Sequence, residues 1–385
     1  MAVHQETRML AEFLYSISAS RLSSSVIEKA KMCVEDFLGA AIAGSIKPEA
    51  QIWKAYYSQF PDRPEATVFE PGFGRHQAEI SAALNAVFGH VMDVDDVHNA
   101  SITHLGAVTI PAAVALGQSF KKSGLQIIEA IVAGYEAGAR IGECINPSSY
   151  QYWHTTGAIG AFSSGTAAAK LLSLTEEQLQ NCLGSAGTQA AGLWEFLSNG
   201  SMSKVLHTAN ANLCGIRSAR LSALGFTGAA TILEGERGFV RALAPDYKLD
   251  RLTKDFGCPY RIEENSFKPY ACCRHTHSAG YCVEQILSSR PFTAEEVSSI
   301  QDDTYETAVK TVNNPYPENP YAAKFSIQFC IAAAIVLHDL SDKVFTSDTI
   351  KNPEIRQLMK KIRIRTDPEL DAVFKDHPDQ WAHRL

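Results

Sequence analysis

The chain has 385 residues, of which 45% are hydrophobic and 20% are charged, and its formal net charge at pH 7 is −7. These values are typical of a globular protein with room for two domains. The negative charge argues against nucleic acid as the main partner. The longest apolar run, residues 329–337, is too short to span a bilayer, so no membrane partner is expected.

The nine cysteines are scattered along the chain, and no CxxC pair occurs among them. An odd number at irregular spacing does not form a disulfide framework, and it is typical of the reducing cytosol. The N-terminal residues lack the basic and apolar segments of a signal peptide. We therefore predict a cytoplasmic protein.

Residues 1–256 are predicted to form a large helical domain. Apolar side chains recur at helical spacing from Val26 to Leu38, directly after three serines that can cap a helix. Residues 175–178 match the capping-box pattern. Segments 80–87, 110–116 and 158–169 are rich in small side chains, which favour closely packed central helices.

Residues 257–385 are predicted to form a smaller α+β domain, so the fold class is mainly α. Helices are expected near 281–287 and 325–337, a strand over 362–365, and a weaker strand within 297–309. Residues 293–296 match a second capping box. No helix stop signal marks the last residues, which favours continuation of the chain in a longer parent protein.

The richest chemistry lies in residues 90–104, where carboxylates and imidazoles stand between apolar runs. Asp93 and Asp96 are three positions apart and would share one face of a helix, with His98 and His104 on the following loop. Carboxylates beside imidazoles supply a general base and a general acid. There are two alternatives to an acid–base site. The segment could be an acidic helix end whose histidines are hydrogen-bonded for structural reasons, or it could bind a metal. No metal is predicted, because no HExxH-like ligand spacing is present.

Two further segments carry polar residues next to apolar helices. His154 stands at a predicted helix start, where backbone N–H groups favour an anion, although a helix start also needs polar residues for its own sake. Lys204 and His207 follow the polar loop that begins at residue 198. A lysine there suits carboxylate binding, whereas a solvated lysine is the commoner case.

The fourth segment, residues 268–277, lies near the predicted domain boundary, where ligand sites are common. Its candidate side chains are Lys268, Tyr270, Arg274 and His277. A polar surface connector is an equally good interpretation. Cys272 and Cys273 also suggest zinc, but adjacent residues rarely point at one ion. No nucleotide-binding glycine loop and no serine-hydrolase elbow occurs.

Together these segments resemble the MmgE/PrpD family, which includes 2-methylcitrate dehydratases, cis-aconitate decarboxylases and iminodisuccinate epimerases. The resemblance covers nearly the whole chain and follows the order of the family's motifs. The matching segments are residues 90–96, 103–108, 200–204, 225–228, 232–235, 268–277 and 324–326.

The resemblance implies a large all-helical domain, a smaller α+β lid, a homodimer, and an active site between the domains. It also implies that neither a metal nor an organic cofactor is used. By position, the family's catalytic residues correspond to Asp93, His104, His154, Lys204 and Lys268. The C-terminal helical segment that completes the family's large domain is not expected in this sequence.

Two departures concern the decarboxylase branch. Cys273 stands where that branch has a histidine, and Val97 stands where it has a threonine. Both differences count against decarboxylation of cis-aconitate.

All three family chemistries pass through a carbanion-like centre next to a carboxylate, which needs fixed positive charge nearby. We expect Lys204, Lys268 and Arg274 to bind substrate carboxylates. Asp93 or His154 would remove the C–H proton, and His104 would act as the acid. Asp96, His98, His207, Tyr270 and His277 are further candidates for substrate binding.

The sequence thus predicts a cofactor-independent lyase that dehydrates a 2-methylcitrate-like tricarboxylate. The alternatives are an epimerase of a dicarboxylate such as iminodisuccinate, a cis-aconitate-type decarboxylase, and a non-catalytic family member that binds carboxylates.

Overall fold

The computed structural model describes residues 5–61 and 63–385. They form two compact units. Of these residues, the first unit contains 5–61, 63–91, 95–194 and 203–267, and the second contains 92–94, 195–202 and 268–385.

The first unit is built from helices and one very short antiparallel strand pair. The helices are α1 (Glu6–Ser16), α2 (Ser24–Gly44), α3 (Pro48–Tyr57), α4 (Ala78–Val91), α5 (Leu105–Ser119), α6 (Gly124–Ile145), α7 (Thr155–Leu171), α8 (Glu176–Gly187), α9 (Ser203–Ala223) and α10 (Phe239–Leu243). The strands are β1 (Ala66–Thr67) and β2 (Arg75–His76). The prediction of a mainly helical fold is confirmed, and the β1–β2 pair is an addition to it.

In the first unit, the two helix starts that were predicted from capping residues are confirmed. Ser23 precedes α2, and its side chain accepts a hydrogen bond from the backbone N–H of Val26 at 3.2 Å. Thr175 and Gln178 form the reciprocal capping box of α8. Such hydrogen bonds satisfy N–H groups that have no partner within the helix, so the local sequence is enough to set where these helices begin.

The small-residue segments form the buried centre of this unit, as predicted. A Cβ atom on Gly160 of α7 would lie 2.7 Å from the Cβ of Ala211 in α9 and equally close to Val108 in α5. The Ser164 hydroxyl donates to the carbonyl of Ala211 at 2.8 Å. Small side chains therefore let α5, α7 and α9 approach at backbone distance, which makes the core stiff.

The second unit combines a three-stranded sheet with short helices. The helices are α11 (His277–Ser289), α12 (Glu306–Val312), α13 (Pro320–Ala323), α14 (Ile327–Leu337), α15 (Ser347–Lys351), α16 (Pro353–Met359) and α17 (Pro368–Asp376). The strands are β3 (Ile300–Thr304), β4 (Ile362–Thr366) and β5 (His383–Arg384), in the spatial order β4-β3-β5. β3 pairs parallel with β4, with Ile300 opposite Ile362, and antiparallel with β5.

The predicted strand at 362–365 and the helices near 281–287 and 325–337 are confirmed. The weaker strand candidate is shorter than predicted, because the chain leaves β3 after Thr304 and enters α12 at Glu306. The capping box at 293–296 does not start a helix. The Thr293 backbone N–H does donate to Glu296 at 2.8 Å, but only a turn follows before β3.

The helical interpretation of Asp93 and Asp96 is also wrong. α4 ends at Val91, and Asp93 adopts a left-handed backbone conformation with φ 58°. Aspartate is among the few non-glycine residues that visit this region, so it ends the helix. The two carboxylates consequently lie on an irregular segment and take separate partners.

None of the helices within the described residues combines the length and the apolar character needed to cross a membrane.

Candidate active site

A carboxylate between two imidazoles lies at the ends of two helices in the first unit. His90 is in the last turn of α4, Asp95 follows on the irregular segment, and His104 directly precedes α5. One oxygen of Asp95, Oδ2, lies 2.8 Å from Nδ1 of His90 and 3.3 Å from Nδ1 of His104. We call His90, Asp95 and His104 the carboxylate–imidazole cluster.

Burial sets the charges in this cluster. His90 is completely buried, and desolvation lowers its pKa to about 4 despite the nearby carboxylate. Burial works against the charge of Asp95, but the two imidazoles outweigh it and keep the pKa of the carboxyl group below its ordinary value. At neutral pH a neutral His90 therefore donates its Nδ1–H to an ionised Asp95.

A second pair of imidazoles lies beside the cluster. His154, the residue before α7, makes no capping hydrogen bond with its side chain, and its ring stacks at 5.7 Å on that of His90. Its Nδ1 lies 3.0 Å from Nδ1 of His207 in α9. Burial, followed by the neighbouring His207, lowers the pKa of His154 well below its ordinary value, and burial lowers that of His207 to about 4. Neutral imidazoles of this kind can accept a proton.

Lys204 lies at the start of α9 and is only 2% exposed. The solvated lysine considered from the sequence is therefore excluded. After burial, the charge of Lys204 is a cause of the low pKa of His207, and it also acts on His90 and His154. A buried ammonium group beside neutral imidazoles favours an anionic ligand.

The second unit contains its own buried ion pair. Nζ of Lys268 lies 3.1 Å from the carboxylate of Asp93 and also donates to the Asp93 backbone carbonyl. Close to it, Lys324 donates to the carbonyls of Met92 and Ala271 and to the Asp342 carboxylate, at 2.7, 2.9 and 3.0 Å. Burial lowers the pKa of Lys324, and Asp342 partly offsets that effect. Two cations are thus held close to Asp93.

The other predicted residues of the second unit lie around the start of α11. The His277 ring is 5.1 Å from that of Tyr270, and its Nε2 lies 3.1 Å from the carbonyl oxygen of Cys272. The guanidinium of Arg274 lies 5.8 Å from the ring centre of Trp381. Burial lowers the pKa of Arg274 and that of His277.

Asp96 and His98 take partners outside the carboxylate–imidazole cluster. The Asp96 carboxylate accepts hydrogen bonds from the Tyr135 hydroxyl at 2.5 Å, the Asn265 amide at 2.7 Å and the Gly106 backbone N–H at 2.9 Å. It therefore ties α5 and α6 to the segment around Asn265.

His98 has one hydroxyl and two carboxylates as neighbours. Its Nδ1 is 2.9 Å from the Ser101 hydroxyl, and its Nε2 is 3.7 Å from Glu264 and 4.0 Å from Glu143.

Among residues 5–61 and 63–385, two groups of side chains each bring three possible metal ligands together. In the carboxylate–imidazole cluster, one donor atom from each residue lies within 4.8 Å of the others, but the charge of Lys204 bears on the same imidazole and opposes a cation. In the group of His98, Glu143 and Glu264, the guanidinium of Arg261 lies 2.8 Å from Glu143 and 3.5 Å from Glu264. Each group already has its neutralising charge, so we assign a metal to neither.

Sequence analysis did not single out Asp95, His90 or Lys324 as site residues. Asp95 was missed because a helical segment would have placed Asp96 on the face of Asp93. The segment is irregular, with Asp93 in a left-handed conformation, so neither the helical nor the extended period points to Asp95. Lys324 was part of a matching family segment but carried no separate chemical signal.

The fold and the site together define a mainly helical protein with buried proton-transfer groups and buried cations. Two family models match the chain, the MmgE/PrpD N-terminal domain over residues 8–252 and the MmgE/PrpD C-terminal domain over residues 270–385. The chain therefore belongs to the MmgE/PrpD family.

Three relatives with similar sequences are all named cis-aconitate decarboxylases. The chain is 25% identical over 398 residues to a cis-aconitate decarboxylase of Aspergillus terreus, covering 95% of this chain and 79% of the relative. The cis-aconitate decarboxylases of Homo sapiens and Mus musculus are each 24% identical. The first match covers 96% of this chain and 78% of the relative, and the second covers 97% and 78%.

Proposed function

We propose that this protein is a lyase that acts on a tricarboxylate through a carbanion-like centre next to a carboxylate. The observation that carries the proposal is the group formed by buried His90, Asp95 and His154 with partly buried His104, on which the charge of Lys204 acts. Neutral imidazoles can take or return a proton, and a buried ammonium group stabilises the negative charge that develops. The activity named for the relatives supports the substrate class.

Within this class we propose dehydration of a 2-methylcitrate-like acid. A base removes the C–H proton, the C=C bond forms, and the hydroxyl leaves as water after His104 protonates it. His104 is suited to this step because its ring is only partly buried, with its side chain 12% exposed, and Asp95 contacts one of its nitrogens. Val97, which stands where the decarboxylase branch has a threonine, is buried and offers no hydroxyl.

Decarboxylation of cis-aconitate is the second candidate, and the relatives' names favour it. In that reaction the bond to a carboxylate carbon breaks, CO2 leaves, and an acid returns a proton to the remaining carbon. The same imidazoles serve both reactions, so the substrate decides between them.

A substrate panel in deuterated water, followed by proton NMR, tests the proposal. A new alkene from 2-methylcitrate supports dehydration, whereas CO2 release from cis-aconitate supports the second candidate. Exchange of an α-proton in a dicarboxylate without alkene formation would instead indicate epimerisation. Binding of carboxylates by folded protein without turnover of any acid would refute the lyase proposal.

A matched pair of variants connects turnover to the site. His104→Gln should lower kcat by about 10²–10⁴-fold, the typical contribution of a proton-transfer group. His377→Gln changes an exposed histidine after α17 and should leave turnover unchanged. Equal activity of the two variants would remove His104 from the mechanism.

A further inference from the structure

We propose that Asp95 is a positioning residue that fixes the tautomer and the ring orientation of His104. The inference rests on the proposed function for its catalytic meaning, but the arrangement of Asp95 and His104 can be measured without any substrate. Neither the family comparison nor the sequence analysis gave Asp95 a role.

The geometry around Asp95 holds its carboxylate in one place. Asp95 is completely buried, and His90, which is also completely buried, donates to its Oδ2 at 2.8 Å. The ring of His90 packs edge-on against that of His104, with 4.8 Å between the ring centres. Since His90 is fixed within the last turn of α4, the oxygen that faces His104 is also fixed.

The carboxylate then selects one form of the His104 ring. Nδ1 of His104 lies 3.3 Å from Oδ2 of Asp95, which is within ion-pair distance although the contact lacks hydrogen-bond geometry. An ionised carboxylate can only accept hydrogen bonds, so it favours the proton on Nδ1. Nε2 is then the nitrogen that faces a bound substrate. It accepts a proton in the neutral ring, and it donates one as the acid when the ring is doubly protonated and its Nδ1–H still faces Asp95.

The backbone of His104 is held as well, because its N–H donates to the Thr156 hydroxyl at 3.1 Å. A ring whose backbone is restrained and whose Nδ1 faces a fixed carboxylate needs little reorganisation during proton transfer. His90, by contrast, donates to Asp95 and has no hydrogen-bond partner for Nε2 among the described residues. Its role is therefore to position Asp95.

The first experiment is nitrogen-15 NMR of the histidine rings in the wild-type protein and in the Asp95→Asn variant, without substrate. We expect Nδ1 of His104 to carry the proton in the wild type and the two tautomers to mix, or to invert, in the variant. A proton on Nε2 in the wild type, or the same tautomer in both proteins, would overturn the proposal. Loss of turnover has no bearing on this measurement, so it separates the inference from the proposed lyase activity.

The second experiment measures kinetics on whichever acid of the panel is turned over. Asp95→Asn should lower kcat by about 10²-fold and leave KM within a few-fold, because a completely buried positioning residue acts through His104 and not on the substrate. Asp95→Glu keeps the charge and should recover part of kcat. Asp376→Asn, at the exposed end of α17, is the matched control and should behave as wild type.

An effect on KM alone would assign Asp95 to substrate binding and refute the positioning role. If Asp95→Asn does not fold, the tautomer of His104 in the wild type decides the question, and a neutral ring with its proton on Nε2 overturns the proposal.

Discussion

At the residue scale, the charge of buried Lys204 acts on three imidazoles of the first unit, those of His90, His154 and His207. Its charge lies among groups that burial has already made neutral, and it helps to keep them so. The titration of a neighbouring imidazole should therefore report directly on this lysine.

We expect Lys204→Met to raise the pKa of His207 from about 4 towards its ordinary value, because one of the two causes of the low pKa is removed. Proton NMR of the imidazole signals against pH measures the change. Lys351→Met, which alters an exposed lysine at the end of α15, should leave His207 as it is. An unchanged His207 in Lys204→Met would show that burial alone sets its pKa.

Asp96 should matter for stability. Its carboxylate accepts hydrogen bonds from Tyr135, Asn265 and Gly106, and removing it leaves three buried donors without their acceptor. Asp96→Ala should lower the free energy of unfolding by about 3 kcal/mol or more, as measured by urea denaturation. Asp376→Ala at an exposed site serves as the comparison, and an equal effect of both substitutions would contradict the structural role.

Sequence reasoning at this scale identified residue types better than it identified partners. Lys204, His104 and His154 were selected because their chemistry is unusual next to apolar helices. Which carboxylate meets which imidazole depends on where α4 ends, and helix ends are the least certain part of a sequence-based prediction. The left-handed conformation of Asp93 sets the end of α4 and therefore the partners of these carboxylates. The sequence contains no pattern that predicts this conformation.

At the element scale, the contact between α7 and α9 depends on glycine. A Cβ atom on Gly215 of α9 would clash with the Ser164 hydroxyl and the Gly165 backbone nitrogen, and would lie 2.8 Å from the carbonyl of Ala161. Because these atoms are mainly backbone, the helices themselves would have to move apart.

Gly215→Ala should therefore destabilise the protein by about 1–3 kcal/mol. Gly39→Ala in helix α2 is a suitable control. Apart from the local backbone of that helix, no atom lies within 4 Å of the added Cβ. There the alanine should stabilise by about 0.5–1 kcal/mol, because it restricts the unfolded chain. Opposite signs in thermal unfolding are the expected result, and a stabilising Gly215→Ala would refute close packing.

The elements that followed from the sequence were those with local signals. The capping residues at Ser23 and Thr175 set the starts of α2 and α8, and the alternation at residues 362–365 gave β4. The turn after Thr293 shows the limit of such signals. The hydrogen bonds of the capping box form as the motif predicts, but the chain continues into strand β3 and not into a helix.

At the scale of the whole molecule, buried imidazoles should make stability depend on pH. Burial lowers the pKa of His90 and His207 to about 4 and that of His275 to about 3, and it also lowers the pKa of His154 and His277. Between pH 6.5 and 4 the unfolded chain binds protons that the folded protein does not, so stability must fall as the pH falls.

Two buried carboxyls, Asp96 and Glu136, have raised pKa values and act in the opposite direction, but the imidazoles outnumber them. Since one pKa unit corresponds to about 1.4 kcal/mol, we expect the free energy of unfolding to be at least about 2 kcal/mol lower at pH 5 than at pH 7. Guanidinium denaturation at both pH values measures it. Equal or greater stability at pH 5 would contradict the assignment of neutral buried imidazoles.

The homodimer implied by the family resemblance remains a prediction. Multi-angle light scattering over a range of concentrations should give twice the mass of the chain. A mass equal to one chain at all concentrations would contradict it.

The position of α9 in the sequence affects how the protein is made. The Thr208 hydroxyl of α9 donates to the carbonyl of Ala86 in α4, and the Asn212 amide donates to the carbonyl of Ala107 in α5. The ribosome completes α4 and α5 roughly ten seconds before it reaches the end of α9. For that interval the apolar surfaces of the nascent chain lack their final partner, so this protein should depend on chaperones during synthesis more than its finished, closely packed interior suggests.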